Sequence, residues 1–230
     1  MLPSASTVPA PEGPPPSDLG AAAQALLRRW LDEVHLWNLR INLTAVPAEQ
    51  AWARHVEESL ELLAEAAPEL GATVLDLGSG AGIPGIPMAV ARADLRMTLA
   101  DADRRKAGFL THATGLLGIA GRVGVVAHRA EVLGRDPAHR EAHDLVVSRA
   151  TAPAAVLIEL ALPLVRPGGR LAALVRDAAA SVDESEAASR LLGGGRPRAV
   201  GSGMLLVDKL EPTADAYPRR TGVPNRRPLG

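Results

Sequence analysis

The sequence predicts an α/β protein: a doubly wound, mostly parallel seven-stranded sheet with an N-terminal helical extension. Three observations carry this expectation. Beyond Gly71, apolar β-forming runs alternate with helical periods. The first run, Val74-Leu75-Asp76-Leu77, breaks into glycines at alternate positions, Gly78, Gly80 and Gly82. That pattern marks a buried strand turning tightly into a helix, with backbone free to lie against a ligand. Two closely spaced strands end the series with Gly201-Ser202-Gly203 between them, as in an antiparallel hairpin.

The elements follow in order. Residues 1–17 hold six prolines and little that can pack, which predicts a disordered tail. From Asp18, Leu19, Ala22, Ala23, Leu26, Leu27, Trp30, Leu31, Val34 and Trp37 share one helical face. Asn38 to Thr44 breaks the pattern, and Pro47 opens a second helix to about Ala66 with Trp52, Val56, Leu60 and Leu63 inward. Both helices belong to the extension, 18–70, and cover one flank of the sheet. The core, 71–210, carries strands at 73–77, 96–100, 122–127, 144–148, 170–175, 197–201 and 204–209. Its helices fall at about 85–92, 103–117, 129–134, 153–165 and 183–192. A basic tail, 211–230, closes the chain; from Tyr217 onward it has four arginines and no acid. Such a segment either lies on phosphates or is a solvated terminus, and the second reading is favoured.

Composition narrows the chemistry. Of 230 residues, 47% are hydrophobic and 22% charged, as in a globular, soluble chain with one sizeable core. No apolar run approaches a membrane span, and the amino terminus lacks a secretory pattern. Cysteine is absent, which fits the cytoplasm and removes thiolate metal ligands and thiolate-dependent pyrimidine methylation. The net charge of −1 gives no global attraction to nucleic acid, so any such affinity must be local. Arginine supplies nearly all basicity, Lys106 and Lys209 being the only lysines.

A glycine loop at the carboxyl end of a parallel strand is where open α/β sheets hold adenosine-containing cofactors. Gly80 to Gly85 also fits G-x-G-x-x-G, but a lone match is weak, and Pro84 removes an N–H at the helix start. The register after Asp76 is D-x-G-x-G-x-G, which resembles the first motif of class I methyltransferases that bind S-adenosylmethionine. The next strand, Arg96 to Ala100, ends in Asp101, an acid able to accept from both ribose hydroxyls in either kind of site.

Further segments extend the likeness: Asn42-Leu43-Thr44-Ala45 with Arg54-His55; the Ile-Pro-Gly-Ile-Pro ending of the loop; Arg104-Arg105-Lys106; Arg129-Ala130-Glu131; Ser148-Arg149-Ala150; and Tyr217-Pro218-Arg219-Arg220 with Gly222, Pro224, Arg227 and Pro228. Over roughly residues 20–230 the chain resembles the bacterial small-subunit (16S) ribosomal RNA guanine-N7 methyltransferases, historically called glucose-inhibited division protein B. The resemblance implies an S-adenosylmethionine cleft formed by Asp76, Gly78, Gly80, Gly82, Ile83 and Ala102, with Asp101 on the ribose. It implies Ala130 and Glu131 around the adenine and Arg149 at the mouth, between cofactor and base. It further implies 16S ribosomal RNA, or the small subunit, as partner of a cytoplasmic enzyme, here expected to be monomeric. One departure stands out. The family's Ala-(Leu/Met)-Lys-Gly box reads Ala173-Leu174-Val175-Arg176, with valine at the lysine place.

Guanine N7 carries an in-plane lone pair and no proton, so positioning and electrostatics suffice without a general base. Arg149 is the expected catalytic residue, orienting the guanine or else anchoring the cofactor carboxylate. Asn42, Arg54, His55, Arg219 and Arg220 are the candidate RNA contacts, although Asn42 with Thr44 could simply fix a helix connection and a lone helix histidine is usually structural. His139, Glu141 and His143 lack a metal-site order and read as a surface loop, so no metal is expected. Trp30, Trp37 and Trp52 read as core. Two other functions stay open: a small-molecule or protein methyltransferase on the same fold, and a noncatalytic ribosome-assembly factor.

Overall fold

The computed structural model describes residues 19–149, 152–201 and 203–229; the proline-rich stretch expected over 1–17 lies outside them. Helix α1 (Ala21–Asn38) is followed by a 3-10 turn (Ala48–Gln50), a π-helical stretch (Trp52–Glu57) and α2 (Glu58–Ala66). Then come β1 (Thr73–Leu77), α3 (Gly85–Ala91), β2 (Arg96–Ala100), α4 (Arg104–Leu116), β3 (Val123–Val126), α5 (Ala130–Leu133) and β4 (His143–Arg149). The rest is α6 (Ala154–Ala161), a 3-10 turn (Leu162–Leu164), β5 (Val165–Leu174), α7 (Ala178–Leu191), β6 (Arg198–Val200), β7 (Met204–Asp208) and α8 (Val223–Arg226).

The seven strands form one sheet in the order β3-β2-β1-β4-β5-β7-β6. β7 runs antiparallel to both neighbours, and the other pairings are parallel. The centres of the parallel strands are apolar and buried because helices cover both faces. Alternate residues enter opposite cores: Val74, Leu145 and Ala172 pack with α1 to α4, while Leu75, Val146 and Leu171 pack with α6 and α7. The helical extension therefore shares the sheet's own core. Chain order reverses between β1 and β4, which opens a crevice at their carboxyl ends.

Several boundaries differ from expectation for identifiable reasons. α7 starts at Ala178 rather than near 183, because the Asp177 side chain caps it by accepting from Ala180 N at 3.1 Å. β5 starts at Val165, where a helix was expected to run on. Val165 pairs with His143, and an irregularity follows before Arg170 meets Leu145. His143 thus begins β4 and is buried, not part of a surface loop. The second expected helix is split into three kinds of turn, for a reason found at the site. The C-terminal segment, favoured as a solvated terminus, is docked: Arg140 donates to Thr213 O at 2.6 Å and Tyr217 O at 2.8 Å, and Pro218 and Pro224 are buried.

Candidate active site

The loop after β1 is held from three sides. Gly78 N and Ser79 N both donate to Ala100 O, at 2.9 and 3.0 Å, folding the loop across the end of β2. Gly80 N donates to Asp101 Oδ2 at 2.9 Å. From the extension, Trp30 Nε1 donates to Ala81 O at 3.0 Å. Trp30 is fully buried, as a core residue should be, but it also pins the loop. Only its indole N–H hinted at this, since a buried indole needs an acceptor.

Gly78 and Gly80 sit at φ +75° and +56°, which L side chains rarely adopt. A Cβ on Gly78 would meet nothing within 4 Å, and one on Gly80 only Gly78 O at 3.9 Å. The backbone there faces open space, a cradle for a ligand. Asp101 beside it uses one oxygen for Gly80 N and the other for Asp103 N at 2.8 Å. A carboxylate has about four acceptor positions, so both oxygens can still take a hydroxyl. Gly82 and Ile83 follow in the same loop, each donating its N–H to Ser79 O, and Ala102 is exposed just past Asp101.

Asp76 lies beneath the loop, fully buried. Its Oδ2 accepts Gly85 N at 3.0 Å and its Oδ1 has no partner among the described residues. Burial pushes its pKa up to about 7, against the opposing pull of neighbouring Ser79 and of the Gly85 N–H. The Gly85 contact also explains that glycine. A Cβ there would stand 2.4 Å from Leu99 Cδ2 and 2.7 Å from Asp76 Oδ2. Gly85→Ala is expected to lower stability by about 1–3 kcal/mol through overpacking. Denaturant unfolding should show an earlier midpoint at unchanged slope; an unaltered midpoint would contradict the packing.

Arg149 ends β4, next to β1, where Ser148 Oγ donates to Leu77 O at 2.8 Å. Its Nη1 lies 2.8 Å from both Arg54 O and His55 Nδ1. Here the split helix finds its cause. In the π turn Glu58 N reaches back to Ala53 O, and Arg54 O, its partner in α geometry, accepts from Arg149. A guanidinium can only donate, so His55 Nδ1 must accept and Nε2 must carry the proton. That proton goes to Thr44 Oγ1 at 3.0 Å. Asn38 fixes the Thr44 loop, accepting from Leu43 N and Thr44 N and donating to Thr44 O. Burial first, then the Arg149 charge, holds the His55 pKa down at about 4, so the ring is neutral near pH 7. Burial likewise lowers the Arg149 pKa from its ordinary value.

The candidate RNA contacts divide. Asn42, Arg54 and Arg220 are exposed, Arg54 pairing with Glu58. His55 is fully buried behind Arg149, which corrects the expectation that it meets RNA directly. Arg219 is part-buried: its N and Nε donate to Glu159 Oε1 at 3.0 and 2.8 Å, and Glu159 is fully buried, so one edge of the guanidinium is turned inward. Val175, at the family's lysine place, is half-buried against the α6–α7 core, with its N donating to Gly203 O at 2.8 Å. Arg176 beside it is exposed. Ala130 and Glu131 open α5, and the Glu131 side chain accepts from Gly222 N at 2.8 Å. His139 and His143 stack at 5.7 Å, while Glu141 is occupied by Thr213 N and Lys209. Among the described residues no cluster of three metal-ligating side chains occurs, and no helix is long and apolar enough to cross a membrane.

Comparison with known proteins gives the fold and the family. By fold, the chain superposes on a SAM-dependent O-methyltransferase from Thermotoga maritima with a TM-score of 0.55 at 14% identity, covering 80% of this chain and 72% of that one. A Corynebacterium glutamicum protein gives a TM-score of 0.53 at 17% identity over 84% and 92%. By sequence, it is 40% identical to the ribosomal RNA small subunit methyltransferase G of Roseiflexus sp., over 87% of this chain and 89% of that protein. The Deinococcus deserti protein of the same name is 41% identical, over 84% and 83%. The profile of the GidB family, described as rRNA small subunit methyltransferase G, matches residues 23–193, and the chain belongs to that family.

Proposed function

We propose that this protein transfers a methyl group from S-adenosylmethionine to N7 of a guanine in 16S ribosomal RNA, and does so in the cytoplasm as a monomer without a metal ion. The observation that carries this reading is the placement of Arg149 at the β4 tip, beside the Gly78–Gly80 cradle and held by His55 and Arg54 O. The bound cofactor supplies an electrophilic methyl on a sulfonium. The residues present fit it: open glycine backbone for the amino-acid end, Asp101 with unused lone pairs for the ribose, and the α5 start for the adenine.

The chain's own residues then do three things. The loop, fixed by Asp76, Asp101, Ala100 O and Trp30, is a rigid floor that would hold the cofactor in one orientation. Arg149 orients the guanine through O6 or a flanking phosphate and leaves N7 unpaired. Neutral His55 accepts from Arg149, so no second charge competes with the cation that develops on the base. No residue has to remove a proton, which suits a site where the histidine is already protonated on Nε2 and turned away. Exposed Asn42, Arg54 and Arg220 are offered as RNA contacts around the mouth.

Small subunits or 16S RNA from a strain without this activity, incubated with the protein and labelled S-adenosylmethionine, should gain label. Reduction and aniline treatment should cleave the RNA at one guanine, the signature of N7 methylation. Label on an exocyclic or ring-N1 position, or on protein or metabolites instead, would overturn the reading.

A further inference from the structure

Helix α5 has only four residues, Ala130–Leu133, far too few to hold a shape by its own hydrogen bonds. Its position must be set from outside: Leu133, almost fully buried, anchors it in the core shared with α6 and α7, and polar contacts to the chain's end hold both of its ends. At its front, Glu131 Oε1 accepts Gly222 N at 2.8 Å, with Glu131 only 5% exposed. At its back, Arg140 Nη1 donates to Gly134 O and to Tyr217 O, both at 2.8 Å, joining helix end and C-terminal segment through one guanidinium. Arg135 Nη2 adds a bond to Ala216 O at 3.1 Å. Pro218 lies so close over the helix end that a Cβ on Gly134 would stand 2.8 Å from its Cγ. The segment itself is fastened at Arg219, which bonds fully buried Glu159 on α6 and donates Nη2 to Arg227 O at 2.6 Å.

We propose that the C-terminal segment from Thr213 to Arg227 is a strap that positions α5, the adenine end of the cofactor cleft, and that Arg219 is its positioning residue and not an RNA ligand. This rests on the cofactor reading above. An arginine reading RNA would expose its guanidinium to solvent. Here Nε is taken by a buried carboxylate, and Nη2 by that carboxylate and the strap's own carbonyl, so the Nε–Nη2 edge of the guanidinium is turned into the fold. The exposed neighbour, Arg220, is the residue of the pair free to meet phosphate.

The test uses the full chain and four proteins: parental, Arg219→Ala, Arg219→Lys and Gly134→Ala. The last pushes Pro218 off the helix end and leaves every charge in place. Three quantities are measured: S-adenosylhomocysteine affinity by calorimetry, 16S RNA affinity and its salt slope at saturating S-adenosylhomocysteine, and the preference for 5′-methylthioadenosine over its inosine counterpart. Arg219→Ala and Gly134→Ala should each weaken S-adenosylhomocysteine binding about tenfold and erode the adenine preference. RNA affinity and salt slope should hold, with partial rescue by Arg219→Lys. A general loss of folding would not selectively remove adenine preference. If Arg219→Ala lowers RNA affinity and the salt slope while cofactor binding and adenine preference stay parental, the strap proposal fails and Arg219 is an RNA ligand. Should Arg219→Ala not fold, Gly134→Ala decides alone, parental cofactor affinity there overturning the proposal. If the parental protein binds no S-adenosylhomocysteine, the cofactor reading itself has failed.

Discussion

Arg149→Ala should lower kcat about 100-fold while S-adenosylmethionine affinity stays within about threefold, the pattern of a group that acts on the base in the transition state. Single-turnover transfer to small subunits, with cofactor affinity measured separately, reads both numbers. The reason lies in how the guanidinium is held. Its Nη1 is spent on Arg54 O and His55 Nδ1, so the rest of the fork is aimed and not free to wander. Lysine has neither the planar fork nor the reach to satisfy both acceptors, and Arg149→Lys should recover little. A parallel loss of cofactor affinity would instead assign Arg149 to the cofactor's carboxylate. Parental turnover would dismiss both roles. Removing Arg149 also leaves buried His55 without a donor to Nδ1, which costs about 1–3 kcal/mol of stability, so the assay belongs well below the variant's melting temperature.

Asp76→Asn is expected to pull stability and binding in opposite directions. Burial raises the Asp76 pKa from 3.8 to about 7. A carboxyl with a folded-state pKa above its unfolded value binds more protons when folded, so its contribution is complete below pH about 4. It is lost as pH rises through about 7, on the order of 4 kcal/mol across that window if nothing else compensates. Asparagine cannot ionise and keeps an oxygen for Gly85 N. The ligand-free variant should therefore be at least as stable as the parent at pH 8 and should lack this carboxyl's share of the stability loss between pH 4 and 7. A sulfonium held over the Gly78–Gly80 cradle, as proposed, would favour the ionised form. S-adenosylmethionine should bind the parent more tightly as pH rises toward 7, and the variant about tenfold more weakly than the parent at pH 8. S-adenosylhomocysteine, which lacks the sulfonium, should show a smaller difference. Calorimetry with both ligands at pH 6 and 8 separates the outcomes; equal losses for the two would place the effect in loop geometry rather than charge.

The fold was legible because a buried parallel sheet writes itself as apolar runs separated by turn residues; β1 to β4 and the second half of β5 follow such runs, while the Arg166-Pro167-Gly168-Gly169 start of β5 does not. The hairpin was legible from Gly201-Ser202-Gly203, and the cradle from Asp76 and the alternating glycines. Less legible was anything fixed by partners distant in sequence. Nothing near Arg54 signals that Arg149, 95 residues away, claims its carbonyl and widens the helix into a π turn. Nothing near Arg219 points to Glu159, 60 residues upstream, so an arginine-rich end looked like a solvated or phosphate-seeking tail. Trp30 read as core and is core; its second role depends on where Ala81 O falls. The late start drawn for α7 is a different kind of miss, since Asp177 ahead of Ala178-Ala179-Ala180 is a local cap signal that outweighs the weak periodicity there.

A crystal structure of the complex with S-adenosylhomocysteine reaches the centre of this account. The ribose hydroxyls should lie within hydrogen-bonding distance of the Asp101 carboxylate, the adenine against Ala130–Glu131, and the homocysteine end over Gly78–Gly80 with sulfur turned toward Arg149. Density for the ligand anywhere else on the molecule, or none at millimolar concentration, would contradict it.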